Sequence, residues 1–346
     1  MKKVYICPDF NSKSGIAKYG RVFFDEVLQK RGYKALHLQD ITELTSLEKN
    51  AEIFVEIGLG TAIECEAFQW LISHGYQSVD VMVHDAPFIK YPIWKTNYSI
   101  LSKISKIIQL LLHREPLFKS ELQYARFVYV MNQRASHGLK RRYRLNNVKV
   151  IPHILNRPFY PDEKFFQQVP NLVYIGFIGA NKGLDYALAL HEKVLSLGVE
   201  CSLEVVGKAS CNKTRSYLER LKEKYTRNVT YLGFVDDQMF EEILKRDNIV
   251  ILPTKEYHVI TPTSGNVLNA MQYSNVLFTN AVNSVPEFIA DGETGFFLSG
   301  NLEADAKKMI SVIESVEVRK RIGFNAYNQV LKNHSPSSVI KSMYEG

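Results

Sequence analysis

Short apolar runs that stop at proline or glycine, each followed by residues at helical spacing, recur along this chain, and that alternation constrains the fold more than any other feature. Ile249, Val250, Ile251 and Leu252 end at Pro253 and fit a strand buried on both faces of a parallel sheet. A polar loop follows. From Gly265 a helical pattern carries Val267, Leu268, Met271 and Gln272, with Thr261, Thr263 and Ser264 ahead of it as capping candidates. Val276, Leu277 and Phe278 give the next strand, Val285, Pro286 and Glu287 open another helix, and Asp291 to Gly295 make a turn. A helix that opens at Thr263, Ser264 and Gly265 presents free N–H groups and the positive end of its dipole, an anion site suited to phosphate. Strand, loop, helix repeated in this way is a nucleotide-binding layout.

The same alternation starts at the amino end. Val4 to Cys7 reads as a strand, the loop Pro8 to Ser14 leads to Gly15, and from Ile16 to Gln29 the residues Ile16, Tyr19, Phe23, Phe24, Val27 and Leu28 repeat at helical spacing, with Arg31, Gly32 and Tyr33 ending the helix. Gly15 either eases a tight turn or lets a phosphate or sugar approach the backbone. Strands are expected at Ile53–Ile57 and Val79–Val83, the second delivering His84 and Asp85 at its carboxyl end, where open parallel sheets meet their ligands. A histidine there suits a sugar hydroxyl, a phosphate oxygen or proton transfer, against a structural role beside a turn. Residues 98–114 form an amphipathic pattern with Ile100, Ile104, Ile107, Ile108 and Leu111 on one side and Lys103, Lys106 and Arg114 on the other, suited to covering a sheet or lying on a membrane surface. Phe127–Met131 is a further strand, a basic helix with Lys140, Arg141, Arg142 and Arg144 follows, and Val148–Ile151 ends the first sheet.

Pro152, Pro158, Pro161 and Pro170 mark a boundary. It separates a first domain, residues 1–158, from a second, 159–320, with a helical segment 321–346 that could pack back on the first. The second series runs strand Leu172–Phe177, helix Leu184–Leu197, strand Ser202–Val206, helix Arg215–Lys224, strand Val229–Leu232 and helix Met239–Lys245 before reaching Ile249. A chain of 346 residues is long enough for two such cores. It contains no apolar run of the length, about 18 to 20 residues, that a membrane span needs, and MKKVYICPDF enters a strand directly, so a cytoplasmic protein is expected, with the inner face of the membrane as its alternative place. Cys7, Cys65, Cys201 and Cys211 form no CxxC pair, which argues against a zinc site or a disulfide framework. A net charge of +7 favours anionic partners. No nucleic-acid module accompanies it.

GFIGANKG opening the second half, VKVIPHILNRPFYP closing the first, and LPTKE, NVLNAMQYSNVLF and SVPEFIADGETGFFL near the end together resemble GT-B fold glycosyltransferases, nearest to glycosyltransferase family 4. The resemblance implies two Rossmann-like, doubly wound α/β domains facing a cleft. It also implies transfer from a nucleotide sugar, a UDP- or GDP-sugar, to a glycan or lipid-linked glycan, with retention of configuration. Lys182, in the same loop as Gly179, matches the family's diphosphate-binding lysine, and His84 beside Asp85 matches its first-domain histidine next to the donor sugar. Phe234, between Gly233 and Val235, matches the loop that meets the base, and Gly15 matches the first glycine-rich loop. Ser264, Gly265 and Asn266 open the phosphate-binding helix with Thr263. Three positions depart from the family: Phe177 stands where an arginine is usual, and Thr261 and Asn269 stand where two glutamates are usual. Asn269 can still hydrogen-bond a ribose hydroxyl, and Glu256 is the remaining acidic candidate for the sugar site. Without a DxD motif no metal is implied, and no cofactor is called for beyond the donor itself. GFIGANKG is an imperfect dinucleotide fingerprint, and Val206-Gly207-Lys208 is only the end of a P-loop. The rival functions are a catalytically silent binding or scaffold subunit and a sugar-nucleotide epimerase.

Overall fold

The computed structural model describes residues 2–12, 14–58, 61–86, 104, 108, 121–155, 166, 169–257 and 260–345. The first of two sheets holds β1 (Lys3–Ile6), β2 (Lys34–Leu36), β3 (Glu52–Ile57), β4 (Val79–Val83), β5 (Phe127–Val130) and β6 (Val148–Val150) in the order β2-β1-β3-β4-β5-β6. The second holds β7 (Asn171–Ile175), β8 (Leu203–Val206), β9 (Val229–Gly233), β10 (Asn248–Leu252), β11 (Val276–Thr279) and β12 (Phe296–Phe297) in the order β12-β11-β10-β7-β8-β9. All pairings are parallel. Central strands β4 and β10 are buried at every position, which is why β10 reads as an apolar run after Asn248 and β4 as one broken only by Asp80, whose carboxylate accepts from the Arg126 guanidinium. Strand order reverses between β1 and β3 in one sheet and between β7 and β10 in the other, and ligands of open α/β sheets bind beyond the carboxyl ends of the strands at such points.

The helices are α1 (Gly15–Phe23), α2 (Ala62–Ser73), α3 (Gln133–Tyr143), α4 (Leu184–Ser196), α5 (Asn212–Lys224), α6 (Asp237–Lys245), α7 (Gly265–Gln272), α8 (Leu302–Ile313), α9 (Val316–His334) and α10 (Pro336–Tyr344). Ser14 caps α1, its hydroxyl accepting from the Ala17 N–H at 3.0 Å. Beyond Phe23 the single helix expected to Gln29 widens into a π turn, Phe24–Leu28, and tightens into a 3-10 turn, Gln29–Arg31. The helix expected from Val285 is one 3-10 turn, Val285–Glu287, because Pro286 supplies no N–H and the chain folds back at Gly292, whose N–H donates to the Gly295 carbonyl at 2.8 Å. Strands β2 and β12 and helices α2 and α8 lie outside the expected series. In α2 the sequence AIECEAFQWLIS spreads apolar side chains all round the helix, so no stripe marks it.

The chain forms two compact units: Met1–Asn156 with His258–Thr263 and Pro336–Gly346, and Arg157–Tyr257 with Ser264–Ser335. The helical tail divides between them. Pro336 has no N–H to continue α9, and α10 belongs to the first unit, where Val339 and Met343 join Tyr5, Phe23, Phe54, Met82 and Tyr129 in one buried cluster. Val339→Ala is expected to lower the first unit's stability by about 2 kcal/mol, read as a lower urea midpoint, since it removes two fully buried methyl groups. The boundary expected at 158 lies outside the described residues, as does the pattern at 98–114 apart from Ile104 and Ile108, both exposed. Among the described residues, no helix is long and apolar enough to cross a membrane.

Candidate functional site

In the second unit the candidates gather where the strand order reverses. The loop after β7 closes a turn in which the Lys182 N–H donates to the Gly179 carbonyl at 2.9 Å, and Gly183 follows at φ 75°. A Cβ at Gly183 would lie 2.0 Å from the Pro253 carbonyl oxygen, so the loop after β7 sits hard against the end of β10. The two loops are also tied by hydrogen bonds: Lys255 N–H to the Asn181 carbonyl at 2.9 Å and Asn181 Nδ2 to Tyr257 Oη at 3.0 Å. Lys182 is half-buried, its ammonium 5.2 Å from the centre of the Tyr257 ring, and no carboxylate pairs with it among the described residues.

Helix α7 starts beside this loop. Asn266 Nδ2 donates to the Ile175 carbonyl at 3.2 Å, which fastens the first turn of the helix to the end of β7. Ser264 occupies the N-cap position without a side-chain cap bond, leaving the first N–H groups of α7 for a ligand. The Thr263 hydroxyl accepts from Asn132 Nδ2 at 3.0 Å instead of capping α7. Asn269 follows Asn266 on the same side of the helix and is half-buried. Glu256 is exposed, between Lys255 and Tyr257, whose N–H donates to Asn283 Oδ1 at 2.9 Å. Phe234, after β9, is 54% exposed, with the Lys208 ammonium 4.5 Å from its ring centre, and Phe177, after β7, is exposed to a similar degree. Three neighbouring strand ends thus offer two open rings and a cation, suited to a flat, charged ligand. Lys208, which reads in sequence as the remnant of a P-loop, becomes a site residue only through this placement.

In the first unit, β4 delivers His84, whose Nε2 lies 2.6 Å from Glu56 Oε1. Glu56 is fully buried and also accepts from the Tyr5 hydroxyl through Oε2. The Tyr19 ring meets the His84 ring edge-on at 5.0 Å and the His153 ring at 4.8 Å, and its buried hydroxyl has no hydrogen-bond partner among the described residues. Burial first, and then the Glu56 carboxylate, pushes the Tyr5 and Tyr19 hydroxyls well above their ordinary range, so both keep their protons at neutral pH. Gly15 begins α1 with open space around it. Thr261 is buried, its N–H donating to the Ala86 carbonyl at 2.7 Å and its carbonyl accepting from Asn132 Nδ2 at 3.1 Å.

The sequence candidates therefore divide. Gly179, Lys182, Phe234, Glu256, Ser264, Gly265, Asn266 and Asn269 belong to the second unit, while Gly15, His84, Thr261 and Thr263 belong to the first. Glu56, Tyr19, Asn132, Lys208 and Tyr257 were not among the sequence candidates. Among the described residues, no cluster of three or more His, Cys, Asp and Glu side chains could hold a metal ion.

Comparison with known proteins adds to this geometry. A family model described as glycosyl transferases group 1 matches residues 157–329, half of the chain. An alpha-D-kanosaminyltransferase from Streptomyces kanamyceticus is 24% identical over 162 residues, 45% of this chain and 40% of that protein, so the match spans less than half the length of this relative. Among solved structures, sucrose-phosphate synthase from Thermosynechococcus elongatus superposes with a TM-score of 0.75 at 14% identity, covering 100% of this chain and 98% of its own. Anabaena Alr3699/HepE in complex with UDP superposes with a TM-score of 0.69 at 13% identity, covering 100% and 99%. At these identities the superpositions speak for the fold: α/β, with two Rossmann-like parallel sheets of the GT-B kind.

Proposed function

We propose a reaction for this chain, which belongs to the glycosyl transferases of group 1: transfer of a sugar from a nucleotide-sugar donor to a hydroxyl of a glycan or lipid-linked glycan, without a metal and with retention of configuration. One observation carries the reading. A lysine with no carboxylate partner among the described residues and a helix start with no side-chain cap lie together where the strand order of the second sheet reverses. As the bond between the anomeric carbon and the diphosphate breaks, negative charge grows on the leaving oxygen. Lys182 and the N–H groups of Gly265 and Asn266 meet that charge, already in place, in the manner of an oxyanion hole. Phe234 and Lys208 are suited to the base and its phosphates, and Asn269 to the ribose. His84 orients the donor sugar, Gly15 lets it or the acceptor come close to the backbone, and Glu256 remains the acidic group assigned to the sugar. A uridine nucleotide is favoured, in keeping with the UDP held by the Anabaena protein. The net charge of +7 suits an acceptor on an anionic membrane surface and is in keeping with work at its cytoplasmic face.

A thermal-shift and calorimetric screen of UDP- and GDP-sugars, with and without EDTA, tests this. The matching donor, at about a hundred times its Kd, is expected to stabilise the protein by about 2.7 kcal/mol, a rise of several degrees that chelation leaves unchanged. A screen in which no nucleotide sugar or nucleoside diphosphate shifts the protein would remove the reading. A silent, sugar-nucleotide-binding subunit is the second reading, favoured by Phe177 and by the engagement of Thr261 with Ala86 and Asn132. Release of free sugar from the bound donor separates the two, and interconversion of the donor sugar would point to an epimerase.

A further inference from the structure

Glu56 is a carboxylate in the middle of a sheet, and the site as assigned so far makes no use of it. It shares a face of β3 with Phe54, inside the aromatic cluster of Tyr5, Phe23 and Tyr129, and is fully shielded from solvent. A carboxylate in such a place is costly unless charge and hydrogen bonds compensate it. The chain makes a second concession to it. A Cβ on Gly20 would lie 2.2 Å from Glu56 Oε2 and 2.9 Å from Tyr5 Oη, so α1 carries at its centre a glycine, a poorer helix former than alanine, to leave room for this pair. Two costs accepted for one side chain point to a role other than packing.

The hydrogen bonds indicate which role. Oε2 accepts from the Tyr5 hydroxyl, and Oε1 lies 2.6 Å from His84 Nε2, the ion-pair partner of Glu56 among the described residues. A carboxylate can only accept, so the proton between them sits on Nε2. That leaves Nδ1 as the ring nitrogen open to a ligand. Tyr19 holds the ring from the side, with 83° between the two planes, so the imidazole is fixed in tautomer and in rotation. We propose that Glu56 is a positioning residue for sugar transfer, acting through His84: it anchors Nε2–H inward and leaves Nδ1 for the donor sugar. The inference rests on the role given above to His84 and deepens it.

Two measurements on the full chain test it. In proton NMR of the ligand-free protein, an exchange-protected ring N–H far downfield is expected, as for a histidine donating to a buried carboxylate, assigned by its absence from His84→Asn and lost or moved upfield in Glu56→Gln. In kinetics with the donor named by the screen, Glu56→Gln is expected to lower kcat about tenfold with KM for the donor nearly unchanged. In a His84→Ala background the same substitution is expected to cause no further loss, because both changes remove one function. Tyr5→Phe, which leaves Glu56 in place and removes only the bond to Oε2, is expected to give a smaller loss that also vanishes in the His84→Ala background, and it stands in if Glu56→Gln does not fold. Wild-type turnover in Glu56→Gln, a loss that multiplies that of His84→Ala, or no such resonance in the native protein overturns the inference. Wild-type turnover in His84→Ala would instead overturn the role of His84 itself.

Discussion

Lys182→Ala is expected to lower sugar transfer by a factor of about ten to a thousand, the range seen when one preorganised donor to a developing charge is removed. The ammonium is half-buried at the end of β7, and no carboxylate pairs with it among the described residues. Its charge is therefore free to act on a ligand. At about 4 Å from a phosphate oxygen and an effective dielectric near 20, a unit charge is worth on the order of 4 kcal/mol, and a loss of about 1.4 to 4 kcal/mol gives the stated range. Lys182→Arg should recover only part of the loss, because a planar guanidinium does not occupy the place of a compact ammonium. Stability should change by less than about 0.5 kcal/mol, since no ion pair is broken. The readouts are kcat/KM for transfer and Kd for the nucleoside diphosphate, beside a melting curve. Native kinetics in a folded variant would strike Lys182 from the mechanism.

Arg319→Ala is expected to destabilise the second unit by about 3 to 5 kcal/mol, the usual result of removing one partner of a buried ion pair. Arg319 is fully buried on α9, and its Nε and Nη2 both lie 3.2 Å from Asp247 Oδ2, itself 2% exposed. Its Nη1 donates to the Val312 carbonyl at 3.1 Å and also to that of Ile313, closing the carboxyl end of α8. Removing the guanidinium takes the cation from the buried Asp247 carboxylate and a donor from the Ile313 carbonyl, while the Val312 carbonyl keeps the Ser315 N–H at 3.3 Å. In a unit of this size the melting temperature should fall by about 10 °C or more. Asp247→Asn in the same chain should recover part of the loss, since the stranded charge is gone. A fall below about 1 kcal/mol, read by urea denaturation, would show that water reaches the site. Asp247 immediately precedes β10, whose far end meets Gly183, so the pair also supports the loop that carries Lys182.

Much of the fold is legible in the residues because parallel strands covered on both faces must be apolar throughout. Ile249 to Leu252, and Val79 to Val83 apart from the paired Asp80, leave little choice, and Pro253 and Pro87 beyond them mark the loops. Helix α2 escapes notice because apolar side chains surround it, and β2 because three half-exposed residues carry no period. The second-unit site is legible in part: Lys182 and the start of α7 lie in loops whose composition announces them. The first-unit network is not. Glu56 within EIFVEI reads as an ordinary polar strand residue, and its partners come from β1 and from the residue after β4. Asn132 reaches Thr261 across 129 residues, a separation at which spacing carries no information. Thr261 reads as a residue ahead of a phosphate loop, yet its N–H donating to the Ala86 carbonyl and its carbonyl accepting from the Asn132 side chain hold it in the first unit.

That α10 completes the first unit affects the order of events at the ribosome. All of the second unit, through Ser335, is translated before Val339 and Met343 emerge. The nascent chain can thus finish its later lobe while the earlier one still exposes Tyr5, Phe54 and Tyr129, an aromatic surface of the kind that chaperones bind and that aggregates when unattended. A stop codon at residue 336 leaves the second unit whole and should therefore do its damage at the opposite end of the polypeptide from the residues it deletes.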